Sequence, residues 1–305
     1  MKILYMGTPD FAVSSLEKLI EGGHEICGVV TREDKPKGRG MKVMMTPVKE
    51  CAVTHNIPVF QPTSVKNGEL DEVLSELSPE MIVVVAYGKI LPKSVLDFPK
   101  YGCVNLHGSL LPKYRGSAPI QHAVLSGDEV SGVTTMLMDE GMDTGDMLLR
   151  REVKIEEDDT SESMFDKLSD VGAELLLETV NNIENISPVP QEESLATYAP
   201  PIRKEDAKID WSKTTSEILN LIRGSFSWPI AFTDSTIGKI KVYSARRGSS
   251  KGEAGAVLEL LKDGLEVATG DGSVVISLFQ VESGKRMPPA DYFRGHESIV
   301  GTFLK

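Results

Sequence analysis

Cysteine is scarce in this chain. Three residues, Cys27, Cys51 and Cys103, are spread over 305 positions, odd in number and with no C-x-x-C pair. That pattern excludes a disulfide framework and a thiol-rich zinc module, and it predicts buried free thiols in a reducing, cytoplasmic setting. Histidine is also sparse. His24, His55, His107, His122 and His296 contain no pair four apart and no standard zinc spacing, so no protein-bound catalytic metal is expected. No apolar run approaches the roughly 18 residues of a membrane span. The opening Met1-Lys-Ile-Leu-Tyr-Met-Gly7 reads as a strand entering a turn and has neither the length nor the shape of a leader peptide.

Several nucleotide and nucleophile signatures are missing too. Gly7-Thr8-Pro9-Asp10 stands where G-x-G-x-x-G would begin. Pro9 has no N–H, and it removes the open backbone surface on which a pyrophosphate sits. There is no G-x-x-x-x-G-K-[ST] loop and no G-x-S-x-G elbow. The formal net charge of -12 argues against a protein that coats nucleic acid along its length. The charge is uneven: residues 1–205 are strongly acidic, whereas residues 206–305 carry 13 basic and 12 acidic side chains. Within the acidic part, Arg32 to Lys42 is a basic, Gly-rich segment able to meet a polyanion locally.

What is present is an alternation of strand and helix signals. Lys2 to Met6 and Ile26 to Val30 read as strands, with Phe11, Leu16, Leu19 and Ile20 marking a helix face between them. Val48 to Asn56 and Leu70 to Leu77 read as helices. Met81 to Tyr87 is a continuous apolar run of the kind buried on both faces of a sheet. Strands around Val104, Val133 to Met138 and Met147 to Val153 follow, then an amphipathic helix over Ser163 to Val180. This order predicts an α/β fold: a doubly wound, mostly parallel, Rossmann-like sheet with helices on both faces. The loops after Gly7, Gly88, His107 and Asp139 should gather at one sheet edge. From about residue 181 the chain turns Pro-rich and polar and reads as an extended connector lying against the first domain. After Ile209-Asp210-Trp211, a helix over Thr214 to Arg223 and four Gly-punctuated strands predict a small barrel of about 100 residues. The domains expected are therefore 1–206, including the connector, and 207–305. Trp211 is expected to seal the junction between them.

The densest polar stretch is Asn105-Leu-His107-Gly-Ser109-Leu-Leu-Pro112-Lys-Tyr-Arg-Gly116. Alternate residues of a strand share a face, so Asn105, His107 and Ser109 can point together. An amide donor beside a general acid–base suits a reaction that develops an oxyanion. Ser109 is either a nucleophile or a binding group. A second acidic stretch, Met138 to Met147, offers Asp139, Asp143 and Asp146 as partners for His107, and residue chemistry alone leaves the three open. Its carboxylates lack the spacing of a calcium loop.

Together these segments resemble the methionyl-tRNA formyltransferase family. The likeness rests on Gly7-Thr-Pro-Asp-Phe11, Lys35-Pro-Lys-Gly-Arg39-Gly40, Val83 to Gly88, Asn105 to Gly116, Ala118-Pro-Ile-Gln121, Gly141-Met-Asp143-Thr-Gly-Asp146 and Ile209-Asp-Trp211. Met142 stands where leucine is common. The resemblance implies a Rossmann-like catalytic domain plus a small C-terminal OB-like β-barrel. It implies 10-formyltetrahydrofolate as formyl-donor cosubstrate, initiator methionyl-tRNA as acceptor, no metal and a monomer. It assigns catalysis to Asn105, His107 and Asp143. Folate contacts would come from Ser109, Leu110, Leu111, Pro112, Tyr87, Gly88 and Gly141, and tRNA contacts from Arg39, Lys35, Lys37 and Lys42. The competing classes are formylation of a nucleotide-sugar amine or hydrolysis of formylfolate on a related domain, and a non-enzymatic RNA-binding module.

Overall fold

The computed structural model describes residues 1–37, 42–66 and 68–305. The chain divides into two compact units. The first comprises Met1–Pro119, Val130–Lys154 and Phe165–Pro200, and the second comprises Ile120–Glu129, Ile155–Met164 and Pro201–Lys305.

The chain order is β1 (Lys2–Gly7), α1 (Val13–Glu21), β2 (Glu25–Val30), β3 (Lys35–Lys37), β4 (Lys42–Met44), α2 (Pro47–Thr54), β5 (Val59–Phe60), α3 (Glu69–Leu77), β6 (Met81–Val85), α4 (Lys93–Leu96), β7 (Cys103–His107), α5 (Pro119–Ser126), β8 (Val130–Leu137), β9 (Met147–Lys154) and α6 (Ser161–Asn182). Seven of these strands form one sheet in the order β5-β2-β1-β6-β7-β8-β9. The five strands from β5 to β7 are parallel, and β8 and β9 reverse direction in turn. The chain winds outward from β1 to β2 and β5, then returns to the other side of β1 with β6. That reversal puts a switch point at the carboxyl ends of β1 and β6, where such sheets carry their sites. Gly7 is required there, because a Cβ would lie 2.9 Å from that of Ala12 and 3.1 Å from the Val85 carbonyl oxygen.

The two sheet faces are covered differently. Leu4, Met6, Ile82, Val84 and Cys103 pack with Leu70, Leu74, Val95 and Leu96 of α3 and α4. On the opposite face Leu106 meets α6 at Gly172, where a Cβ would come within 2.8 Å of the leucine methyl. The T-shaped pair Phe11–Phe165, with centroids 6.0 Å apart, and the bond from Ser169 Oγ to the Phe11 carbonyl fix α6 beside α1. Alternation along β7 therefore gives Leu106 to the α6 face and Cys103, Asn105 and His107 to the other.

The basic segment after β2 is not wholly a loop. Lys35–Lys37 and Lys42–Met44 pair antiparallel as a two-stranded ribbon. Lys35 is exposed on it. Arg39, assigned to tRNA contact above, lies outside the described residues, as do the side chains of Lys37 and Lys42.

The second unit adds α7 (Thr215–Gly224), β10 (Phe232–Ser235), β11 (Gly238–Arg247), β12 (Val257–Leu261), β13 (Gly264–Ala268) and β14 (Ser273–Val281). Its strands form an antiparallel sheet ordered β10-β11-β14-β13-β12, an OB-like arrangement. The start of α7 is set by a capping box: Thr214 Oγ1 accepts from the Glu217 amide, and the Glu217 carboxylate accepts from the Thr214 amide. Two earlier segments, Ile120–Glu129 and Ile155–Met164, group with this unit. Leu125 fills the space beside Gly224, and Arg223 donates to the carbonyls of Glu156 and Asp159. Trp211 departs from expectation. It is 4% exposed among Ile209, Ile218, Ile222 and Phe279, and its indole N–H donates to Thr233 at 2.9 Å, so it belongs to this unit's own core. An indole buries its large apolar face wherever its single donor finds a partner, and here that partner is on β10. Among the described residues no helix is long and apolar enough to cross a membrane.

Candidate active site

Asn105 and His107 are buried on one face of β7, at 9% and 6% exposure. The Asn105 side chain has no hydrogen-bond partner among the described residues. Neither of its amide atoms is among the buried side-chain atoms that lack a partner, so the amide group keeps access to solvent and is free to meet a ligand. His107 Nε2 lies 2.9 Å from the Tyr114 carbonyl oxygen. A carbonyl only accepts, so Nε2 carries a proton, and in the neutral ring the lone pair sits on Nδ1. Tyr114 adopts a left-handed φ of 62°, part of the turn that brings this carbonyl to the imidazole. This anchor carries no recognisable sequence signal.

Of the three candidate carboxylates, Asp143 reaches the imidazole. Its Oδ2 is 3.7 Å from His107 Nδ1, beyond hydrogen-bond range but close enough for strong attraction to an imidazolium. The same oxygen accepts from the Gly116 amide at 2.8 Å. Asp139 is used locally, accepting from the Gly141 amide and from Thr144 Oγ1. The route to this arrangement differs from the sequence expectation. Because β8 runs antiparallel to β7, Leu137 leaves the sheet beside Val104 and not at the carboxyl end of β7. The loop after β8 doubles back to deliver Asp143 to His107. Gly145 permits that close return, since a Cβ there would collide with the Leu137 carbonyl.

The Ser109–Pro112 stretch is held rigidly. Ser109 Oγ donates to the Lys113 carbonyl at 2.6 Å, which closes the turn and occupies the hydroxyl, leaving it badly placed as a nucleophile. Thr134 Oγ1 donates to the Ser109 carbonyl and accepts from the Leu111 amide. Arg150 donates to the Leu111 carbonyl at 3.3 Å, and the Leu111–Pro112 peptide is cis. Leu110 packs over Gly132, and Leu111 is fully buried with Met136 and Met147. Tyr87 is 1% exposed in the α3/α4 core, with its hydroxyl unpartnered and burial pushing its pKa up. Its side chain thus belongs to packing, and only its backbone faces the turn, where its carbonyl receives Thr8 Oγ1 at 3.5 Å. Gly88 is exposed with φ +78°, near the Arg32 guanidinium, and Gly141 is exposed beside Thr144.

The cysteines are free thiols, with Cys51 and Cys103 buried. Burial raises all three pKa values, to about 11 for Cys51 and about 12 for Cys103, as expected of inert thiols. Glu17 of α1, Cys51 of α2 and His55, which caps α2, bring three potential ligand atoms within 4.8 Å of one another. The Cys51–His55 spacing, four apart across the end of α2, escapes an inspection of histidine pairs alone. A metal needs the thiolate, and both burial and Glu17 hold Cys51 as the thiol. Elsewhere, a groove of about 790 Å³ in the second unit is lined by Glu156, Asp158, Arg223, Arg246 and Arg247, with none of the His107 set. Arg246 is paired to Asp263 and Arg247 donates to Ser216, while Lys239 lies over the Phe232 ring.

Comparison with known proteins agrees with this layout. The formyl transferase family profile matches residues 1–180, and the formyl transferase C-terminal domain profile matches residues 201–297. The methionyl-tRNA formyltransferase of Acetivibrio thermocellus is 49% identical, covering 100% of this chain and 99% of that protein. The one from Citrifermentans bemidjiense is 45% identical, covering 100% and 96%. Among solved structures, the sugar 3N-formyl transferase WlaRD, solved with dTDP and 5-N-formyl-THF, superposes with a TM-score of 0.68 at 21% identity over 91% of this chain and 97% of that one. HypX from Aquifex aeolicus with tetrahydrofolic acid gives 0.64 at 20% identity, covering 99% and 48%. At that identity the likeness is one of fold. With both profiles matched and full-length relatives near half identical, the chain belongs to the methionyl-tRNA formyltransferase family.

Proposed function

We propose that this protein transfers the formyl group of 10-formyltetrahydrofolate to the amino group of initiator methionyl-tRNA, releasing tetrahydrofolate. The observation that carries the reading is the approach of Asp143 to His107, on the β7 strand that also bears Asn105, in a chain alignable end to end with methionyl-tRNA formyltransferases. The relatives that act on sugars share the fold at about a fifth identity, which supplies no argument for a sugar acceptor.

The chemistry follows from the geometry. The neutral methionyl amine attacks the formyl carbon, and the carbonyl oxygen becomes an oxyanion. The unpartnered Asn105 amide donates to it. The attacking nitrogen must lose one proton, and N10 of the folate must gain one before the C–N10 bond breaks. His107 Nδ1, unprotonated while Nε2 is committed to Tyr114, takes the first and returns it as the second. During that interval the imidazolium faces the Asp143 carboxylate, which stabilises it and accepts no proton itself. Folate supplies an activated one-carbon unit, so the reaction asks for no further cofactor.

The folate is taken to lie along Ser109–Pro112 with Gly88 and Gly141, and the acceptor stem along the ribbon bearing Lys35, Lys37, Arg39 and Lys42. Residues 1–206 carry the chemistry, and residues 207–305 grip the tRNA body. The protein acts as a cytoplasmic monomer. Incubation of charged initiator tRNA with 10-formyltetrahydrofolate and the protein, followed by mass analysis of the aminoacyl end, tests the assignment. Addition of one formyl group to methionine is expected, and folded protein that adds none refutes it.

A further inference from the structure

Asp143 sits on a loop with no regular structure between β8 and β9, and its backbone takes a left-handed φ of 54°. Aspartate tolerates that conformation better than most residues, and its surroundings hold it there. The surroundings come from the connector. The Gln191 side-chain amide donates to the carbonyls of Asp143 and Gly145, each at 2.8 Å. Its oxygen accepts from Arg115 Nε at 3.0 Å. A guanidinium can only donate, so the amide has one orientation, with both N–H groups turned to the loop. Arg115 is itself 1% exposed and grips both oxygens of Glu193, at 2.8 and 3.1 Å. The pairing of the Arg115 backbone with Thr197 and Ala199, at 2.8 Å each, locks the same stretch. The next residue, Gly116, supplies the amide that holds Asp143 Oδ2. Its φ of +120° and the 2.7 Å from a would-be Cβ to the Ala199 oxygen tie that amide to the connector as well. Residues 191–199 thus fix the loop of Asp143 and the turn of Gly116 together.

From this network we infer that Gln191, anchored by Arg115 and Glu193, is a positioning residue for formyl transfer: it sets the separation between the Asp143 carboxylate and His107 Nδ1. The inference rests on the formyl-transfer reading above. It makes the connector part of the active site and not merely a tether. No motif announces it, since Arg115 and Gln191 lie 76 residues apart in sequence.

The test is a cycle of full-length proteins: wild type, Gln191→Ala, Asp143→Asn and the double variant. Gln191→Ala is expected to lower kcat about 10- to 10²-fold, the scale of an ångström-sized misplacement. KM for 10-formyltetrahydrofolate should stay within about threefold, because no ground-state contact is removed. In the Asp143→Asn background the same change should cost less than about twofold, because the charge being positioned is gone. A folded Gln191→Ala protein with unchanged kcat, or a loss that multiplies fully with Asp143→Asn, overturns the inference. If Gln191→Ala does not fold, Gln191→Glu replaces it in the cycle and the same outcomes decide; it keeps an acceptor for Arg115 but presents no N–H to the loop. An inactive wild type, or a fully active Asp143→Asn protein, counts against the parent reading and removes this inference with it.

Discussion

Replacing Asn105 by alanine separates catalysis from stability in a way the structure makes quantitative. The side chain is 9% exposed and makes no hydrogen bond among the described residues. Neither of its amide atoms is among the buried side-chain atoms left without a partner, so the group keeps access to solvent and carries little desolvation cost. Truncation breaks no hydrogen bond. The melting temperature is thus expected to stay within about 2–4 °C of wild type. Turnover is expected to fall. Loss of one donor to a developing oxyanion costs about 10²–10³ in rate, equivalent to about 2.7–4 kcal/mol. Single-turnover formylation at saturating 10-formyltetrahydrofolate reads the chemical step directly, and calorimetry on the same samples reads the stability. A rate loss below tenfold would refute the oxyanion role. A large fall in melting temperature would show that Asn105 is a structural residue and that its lack of partners has been misread.

Asp143→Asn should keep the bond from the Gly116 amide, because the amide oxygen still accepts, yet lose the charge facing His107; turnover is expected to fall about 10²–10⁴-fold with little change in melting temperature. Gly116→Ala has no room at the Ala199 carbonyl and an unfavourable φ, so urea unfolding should show a loss of at least about 1–3 kcal/mol; an unchanged midpoint would contradict the close approach. In the second unit, burial alone would raise the Glu266 pKa, but bonds from Ser273, Ser250 and the Ser249 amide more than offset it and leave the carboxyl below its usual value. A depressed carboxyl contributes stability above its unfolded pKa and loses it as pH falls, so Glu266→Gln should cost about 1–3 kcal/mol at neutral pH, with the gap to wild type closing below about pH 4. Arg39→Ala should lower kcat/KM for charged tRNA while leaving 10-formyltetrahydrofolate binding nearly intact; equal losses in both would place the residue at the folate site instead.

The sequence by itself determined most elements and the identity of the polar groups. Unbroken apolar runs such as Met81–Val85 mark strands covered on both faces, and period-2 alternation placed Asn105 and His107 on one side of β7. The connector's lie against the first unit was legible from its prolines, and the Arg115–Tyr198 bridge is its outcome. Such local patterns act through nearest neighbours along the chain, so they survive without knowledge of the fold. What depends on distant partners was decided only by the tertiary structure. Residue chemistry left Asp139, Asp143 and Asp146 open and only the family resemblance pointed to Asp143; the approach of its carboxylate to His107 depends on the return path of the loop after β8, whose antiparallel direction is not written in its own residues. Trp211 found its donor partner on β10 and joined the second unit's core. The strand-forming residues beside Arg39 paired into a ribbon. Gln191 and Tyr114 became supports of the site through single hydrogen bonds to or from backbone carbonyls. Those bonds leave no signature in composition or spacing, because a backbone carbonyl is the same at every position and only the fold selects which one is met.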